Sequence, residues 1–260
     1  MSDYQAEAVA QAWTKVIRWC RRHAPLSAAS IQPGATAAAL AAAQTETGPS
    51  PADLVAMVSV ADGVNRSVVL IPQLFVPLGV DDILDAWRML SGMSTDVAEQ
   101  ARCGAEPAGT KSFIHLTAWI PFASDFGGNF LFLDRRPGPV SGCISEWERD
   151  DGSLRQPRWP SLAALVDQVT TSLGQKRWRD VDGDDLIPTV EDGRLRWHES
   201  EEWETLSWNP TAEDVRSGSD LPTKVMLLGA SGHSDDSIAS RLGLSVERVV
   251  ELRDEWRRTH

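Results

Sequence analysis

The sequence predicts an α+β fold, and three observations carry that expectation. Helix-capping signals and helical periodicity fill the opening third, apolar β-branched and aromatic runs dominate the middle, and turn residues separate those runs at short intervals. The resulting order, helix, helix, strand, helix, strands, helix, lacks the regular alternation of a doubly wound parallel sheet. A sheet of mixed or antiparallel strands with flanking helices satisfies it.

Residues 5–22 have helical spacing, with Ala8, Ala12, Lys15, Val16 and Trp19 near one face and Arg18, Arg21 and Arg22 towards the C-terminal end. Cations there complement the helix dipole, so the arginines read as a solvated helix end. Thr36 follows Gly34-Ala35 as an N-cap, an alanine-rich run with Leu40 continues the helix, and Gly48 stops it. Ser50, Pro51 and Asp53 repeat the pattern as cap, first-turn proline and first-turn acid, and LVAMVSVA runs to a turn at Asp62-Gly63. SVVLIPQLFVPL is strand-like but broken by Pro72 and Pro77, which predicts an edge strand or two short strands.

DDILDAWRML is helical, opened by Asp81 and Asp82, and Ser91 to Thr110 reads as a loop around a short helix. FIHLTAWIPFA, NFLFLD and GCISEWER predict three successive strands, with turns at Asp125–Gly128 and Pro137–Gly138. Ser161 caps the amphipathic helix SLAALVDQVTTSL. Beyond it the texture becomes acidic, Trp-rich and turn-rich, then helical again. The expected organisation is an α+β domain over 1–175, a hairpin extension over 176–220 and a helical tail over 221–260.

Composition narrows the class of function. The 260 residues carry a formal net charge of -12, which disfavours a general nucleic-acid binder because phosphate neutralisation needs a basic surface. An acidic surface suits a basic protein partner, although solubility alone also accounts for it. Cys20, Cys103 and Cys143 are far apart and without metal-type spacing, so reduced thiols in a cytoplasmic protein are expected. The stretch MSDYQAEAVAQAW has no basic region followed by an apolar run, and no apolar stretch is long enough to span a membrane.

Two groups of residues together resemble a known family. The first is Gly34, Ala35, Thr36, Pro51, Asp53, Leu54, Asp62 and Gly63, spread through the two capped helices. The second is Trp119, Pro121, Ala123, Asp125, Gly127, Gly128 and Asp134, followed by Pro137, Gly138 and Gly142. In this order they resemble the SUKH superfamily, which includes Smi/Knr-type fungal cell-wall regulators and bacterial immunity proteins. The resemblance extends over about residues 10–175. It implies an α+β scaffold without catalytic residues or cofactor that binds a protein partner, in toxin systems often a nuclease or deaminase. Physically, Trp119 and Phe122 are expected in the core, Pro121 at a sheet edge, Gly127-Gly128 at positive φ and Asp125 as acceptor for the turn's amides. Glycines without a basic neighbour or a following helix do not make a phosphate cradle.

Asp180, Asp182, Asp184 and Glu191 have the spacing of an EF-hand loop and form a weak calcium candidate. Against it, Asp185 stands where the turn glycine belongs, and Glu191-Asp192-Gly193 reads as a hairpin turn where a helix is required. Gly229-Ala230-Ser231-Gly232 begins like a dinucleotide fingerprint, but Asp235 replaces the third glycine and too few residues remain for a βαβ unit.

The segment after Ser234 reads as helix-turn-helix-like, with a turn at Gly243-Leu244, a cap at Ser245 and a core of Ile238, Leu242, Leu244, Val249 and Leu252. Glu247, Glu251, Asp254 and Glu255 interrupt its arginines, which favours a packing module over a DNA-reading helix. His115 lies in an apolar pattern and is expected to be a core or surface residue rather than a base.

The leading expectation is a non-enzymatic immunity or toxin-neutralising protein of the cytoplasm that occludes a partner, possible types of which include a basic nuclease. Asp125, Phe126, Glu146, Trp147, Glu148, Asp150 and Asp151 are the partner-binding candidates, acids beside aromatic anchors. The alternative is a regulatory protein whose 221–260 tail contacts DNA or the transcription machinery.

Overall fold

In the computed structural model, which describes residues 3–65, 68–93, 96–153, 157–179, 185–199, 221–222, 224–225 and 234–259, the chain forms two units, Met1–Trp197 and His198–His260. The first unit begins with helix α1 (Asp3–His23), whose buried stripe of Val9, Trp13, Val16, Ile17 and Cys20 repeats at helical spacing. A short turn of helix, α2 (Pro25–Ala28), follows it. Helix α3 (Ala37–Thr47) starts where Thr36 Oγ1 accepts a hydrogen bond from the Ala39 amide at 3.1 Å, and it ends at Gly48 with φ of 80°.

Helix α4 (Ala52–Val60) differs from expectation by one position. Pro51, not Ser50, is its N-cap, because the Pro51 carbonyl receives the first helical bond, from the Val55 amide at 3.0 Å. Asp53 is buried and turns its carboxylate to the Leu54 amide at 2.9 Å; desolvation raises its pKa. The turn after α4 explains two glycines. A Cβ on Gly34 would lie 1.9 Å from the Ser59 carbonyl oxygen, and one on Gly63 would lie 2.3 Å from the Gly79 nitrogen. Gly63 has φ of 78°, and Asp62 Oδ1 accepts from the Val80 amide at 2.7 Å, which starts the next helix.

The central sheet is antiparallel, in the order β1 (Val76–Pro77), β2 (Trp119–Ser124), β3 (Phe130–Asp134), β4 (Ile144–Trp147). Every residue of β2 and β3 is buried, so these strands read as continuous apolar runs rather than alternating ones. Pairing begins only at Trp119. Phe113–Ala118, expected as part of this strand, is irregular because the Trp119 amide turns back to the Leu116 carbonyl at 2.9 Å. Pro121 is in an interior strand, not at a sheet edge; the register shifts between Pro121 and Ala123, and a bulge accommodates a residue without an N–H.

Helices α5 (Val80–Met93) and α6 (Val97–Gly104) connect β1 to β2, and Asp96 caps α6 through the Ala98 and Glu99 amides. Helix α7 (Leu162–Gln175) is capped by Ser161, whose Oγ accepts from the Ala164 amide at 3.2 Å, and packs against α1.

A second sheet, in the order β5 (Trp178–Arg179), β6 (Asp185–Glu191), β7 (Arg194–Glu199), contains the expected hairpin. Its turn has φ of 48° at Asp192 and 72° at Gly193, the two left-handed residues of a type I′ connection. It docks on α2: the Leu26 amide donates to the Gly193 carbonyl and the Leu195 amide to Ser27 Oγ, both at 2.9 Å. Trp178 is fully buried, 6.1 Å between ring centroids from both Trp159 and Trp197.

In the second unit, Ser234 caps α8 (Asp235–Leu242), Gly243 turns the chain with φ of 64°, and the Ser245 hydroxyl accepts from the Arg248 amide at the start of α9 (Val246–Thr259). Ile238, Leu242, Val249 and Leu252 form the expected core, joined by Leu221, Val225 and Ala239, with Leu244 packed against it. No helix among the described residues is long and apolar enough to cross a membrane.

Candidate functional site

The β2–β3 turn is built around one carboxylate. Asp125 Oδ1 accepts from the amides of Gly127 at 2.7 Å, Gly128 at 3.1 Å and Asn129 at 2.9 Å, while Oδ2 accepts from Asn129 Nδ2 at 2.8 Å. The expectation that Asp125 satisfies the turn is met. The expectation of positive φ at both glycines is met only at Gly128 (φ 114°); the other left-handed residue is Phe126 (φ 58°). An L-residue in that conformation costs about 1–2 kcal/mol. The strain leaves the Phe126 side chain at the surface, where the residue is 42% exposed.

Two further turns sit at the same end of the sheet. Antiparallel pairing of Phe130 with Trp147 brings the 148–152 turn beside the 125–129 turn, and the Arg149 amide donates to Asn129 Oδ1 at 3.1 Å. Glu148 and Gly152 close this turn through reciprocal backbone bonds of 3.0 and 2.8 Å, which leaves Asp150 and Asp151 exposed at its tip. The third turn has positive φ at Gln73 and Leu74, and Leu74 is 68% exposed. Leu74 and Phe126 each stand two residues beyond the paired Val76 and Ser124.

Among the residues expected to bind a partner, Asp125, Phe126, Glu148, Asp150 and Asp151 are therefore gathered at one sheet end. Glu146 and Trp147 face inward. Trp147 is buried against Trp119 and His115, and Glu146 holds the buried Arg158 guanidinium at 2.5 Å, which also bonds Gln73 Oε1. Their contribution is to brace the turns from below.

Beside the β2–β3 turn lies an open groove of about 490 Å³. Leu78, Ala86, Met89, Phe126 and Phe130 give it apolar walls, and Asp82 and Asp85 add carboxylates. Among the described residues, no Lys, Arg or His lines it. Asp82, Asp85, Ala86 and Met89 follow one another at helical spacing on α5, a stripe that borders the core residues Val80, Ile83 and Leu90 and shares the buried Ala86 with them. That second stripe was a signal present in DDILDAWRML which core-seeking periodicity passes over. Asp85 pairs with Arg88 at 3.2 Å, and Arg88 also binds Glu46; among the described residues no cation pairs with Asp82.

Burial dominates the titratable groups described in the interior. His115 is buried edge-on to Trp119 and Trp147, both at 5.8 Å, and desolvation pushes its pKa down to about 3. Burial pushes the Cys20 thiol up to about 12 and the Cys143 thiol up to about 11, the reverse of an activated nucleophile.

Asp180, Asp182 and Asp184 of the calcium candidate lie outside the described residues, as do Gly229, Ala230, Ser231 and Gly232. Glu191 ends β6, and a strand follows its turn where an EF-hand has a helix. Asp185 is held by Arg177 and Arg179, which keep its carboxyl well below the usual range. In the tail, Arg248 pairs with Glu251 at 3.0 Å and Arg253 with Asp235 at 2.5 Å, so these two cations are compensated locally.

Asp134 closes the β2–β3 motif by neutralising a buried arginine. Its carboxylate accepts from Arg136 Nη2 at 2.7 Å, Nε at 3.1 Å, the Arg136 amide at 3.0 Å and the Gly109 amide at 2.9 Å. Arg136 reaches onward to the carbonyls of Cys103 and Thr110 and lies 5.3 Å from the Trp119 ring centroid. Both side chains are 1% exposed. This pair ties the loop before β2 to the sheet that carries the three turns.

A search of curated proteins finds no match. The family model for SMI1 / KNR4 (SUKH-1) matches residues 34–168, a span that holds Gly34, helices α3 to α6, the whole central sheet and the groove. The chain belongs to the SMI1 / KNR4 family (SUKH-1), a family that includes toxin-immunity proteins.

Proposed function

We propose that this protein is a non-enzymatic binding scaffold of the cytoplasm that neutralises a toxin by covering its working surface. The partner is a protein with a basic face, such as a nuclease. The observation that carries this reading is the sheet end itself: an exposed, strained Phe126 stands between an apolar groove carrying Asp82, which no cation among the described residues pairs with, and a turn tipped by Asp150 and Asp151. Aromatic anchors ringed by acids bind basic protein surfaces with fast encounter and a desolvated contact. Family membership supports the same class of function.

The test is affinity capture from the native host with the full chain and with Phe126→Asp. One stable, basic partner whose toxicity the wild-type chain relieves, and which the variant fails to hold, is the expected result. Equal recovery by both chains, or recovery of no partner, would defeat the proposal.

The second reading is a regulatory protein whose tail contacts DNA. It is favoured by the two capped helices around their own core in the second unit. Its mark would be DNA affinity that falls steeply with salt and disappears when residues 221–260 are removed.

A further inference from the structure

We infer that the groove between α5 and the β2–β3 turn receives an arginine side chain of the partner protein, its stem on the apolar walls and its guanidinium on Asp82. This rests on the partner-binding reading above and names the chemistry that the site recognises.

The volume of about 490 Å³ falls within the range of built ligand sites, roughly 300–1,000 Å³. Its chemistry is divided. Leu78, Ala86 and Met89 offer an apolar channel, Phe126 and Phe130 offer aromatic rings, and among the described residues the polar lining includes carboxylates but no cation. A purely apolar knob would desolvate Asp82 and leave it without compensation, which is costly. A phosphate or an acidic side chain would be repelled. Lysine and arginine both answer to the carboxylate, but arginine is less strongly hydrated, stacks on aromatic faces and can engage a carboxylate through two N–H groups.

The neighbouring charges leave Asp82 as the reader. Asp85 is partly compensated by Arg88, which Glu46 also holds, and Asp81 precedes Asp82 on the same exposed helical turn. Arg149 is not among the lining residues, but its aliphatic carbons pack over Gly128, which is. The left-handed Phe126 adds an independent reason to place a contact here, since glycine at that position would relieve the strain and remove the ring.

The experiment pans a displayed library of random twelve-residue peptides on the full chain and then measures synthetic copies of the enriched peptides. Each is made with arginine and with citrulline, a neutral near-isostere. Enriched peptides are expected to carry arginine beside an apolar residue. Citrulline should weaken binding about tenfold or more on the wild type, as for loss of a charge-assisted contact. On Asp82→Asn the arginine and citrulline peptides should bind alike, whereas Asp81→Asn should keep the discrimination. If binding needs Phe126 but ignores citrulline, the arginine inference falls and the binding surface stands. If enriched peptides bind Phe126→Gly and Asp82→Asn as tightly as wild type, both fall. If no peptide is enriched, the inference is likewise overturned.

Discussion

Replacing Asp134 with alanine should unfold the first unit more readily than any surface change, through Arg136. The substitution leaves a guanidinium at 1% side-chain exposure with only the Cys103 and Thr110 carbonyls, and it orphans the amides of Gly109 and Arg136. Stranding a buried charge costs about 3–5 kcal/mol, and each orphaned amide about 1–3 kcal/mol if no water reaches it. These costs overlap, since one relaxation can relieve several of them, so a net loss of about 4–5 kcal/mol is expected. That is a large part of a domain stability of about 5–15 kcal/mol. At about 2–4 °C per kcal/mol for a domain of this size, Tm should fall by about 10–15 °C.

Urea unfolding followed by tryptophan fluorescence reads this directly, because Trp119 lies over Arg136. The double variant Asp134→Leu/Arg136→Met removes both charges and should recover at least about 1–2 kcal/mol relative to Asp134→Ala. A loss below about 1 kcal/mol in the single variant, or a double variant as unstable as the sum of its parts, would refute the reasoning.

Two other predictions concern a buried histidine and a close backbone approach at a glycine. His115 has a folded pKa of about 3 against an unfolded value near 6.5, so the unfolded chain takes up its proton first as pH falls. Its contribution is fully present above about pH 6.5 and is lost on acidification, by about 3 kcal/mol at pH 4. His115→Leu should flatten the stability profile in that window in urea titrations at stepped pH; parallel profiles for the two chains would count against it. Gly34→Ala should cost about 3 kcal/mol because its Cβ would meet the Ser59 carbonyl oxygen at 1.9 Å, whereas Gly92→Ala, in a helix with nothing near, should stabilise by about 0.5–1 kcal/mol. Equal midpoints for these two glycine variants in chemical denaturation would remove the close-approach argument.

Much of the architecture was legible because its determinants are local. Thr36, Ser161 and Ser234 each cap a helix through an amide three residues ahead, and Asp192-Gly193 closes its hairpin within two residues. Apolar periodicity placed the core of the tail helices for the same reason, since spacing along the chain and position on a helix are one quantity. On α1 the buried face is Val9, Trp13, Val16, Ile17 and Cys20, which shares only Val16 with the expected Ala8, Ala12, Lys15, Val16 and Trp19. The Asp125 turn belongs here too, since its carboxylate bonds run to residues two to four positions ahead.

The candidate site was legible only in part. Acids and aromatics in the 125–151 region were recognisable, but their exposure was not. Trp147 and Glu146 resemble surface anchors in a string of letters, yet the ring packs between His115 and Trp119, and Glu146 holds an arginine twelve residues away. Phe126 takes a conformation that a neighbouring glycine was expected to take, because the Asp125 carboxylate and the Ser124 hydroxyl hold the amides around it. Asp82 and Met89 join Phe126 only because α5 lies against β2.

The capped helices, the strands and the turn chemistry thus follow from interactions that span a few residues. The groove, the buried Asp134–Arg136 pair with its reach to Cys103, and the Arg158 link to Gln73, 85 residues away, do not. Those contacts exist only when distant segments are brought together against the loss of chain entropy, and their geometry is set by packing rather than by sequence spacing.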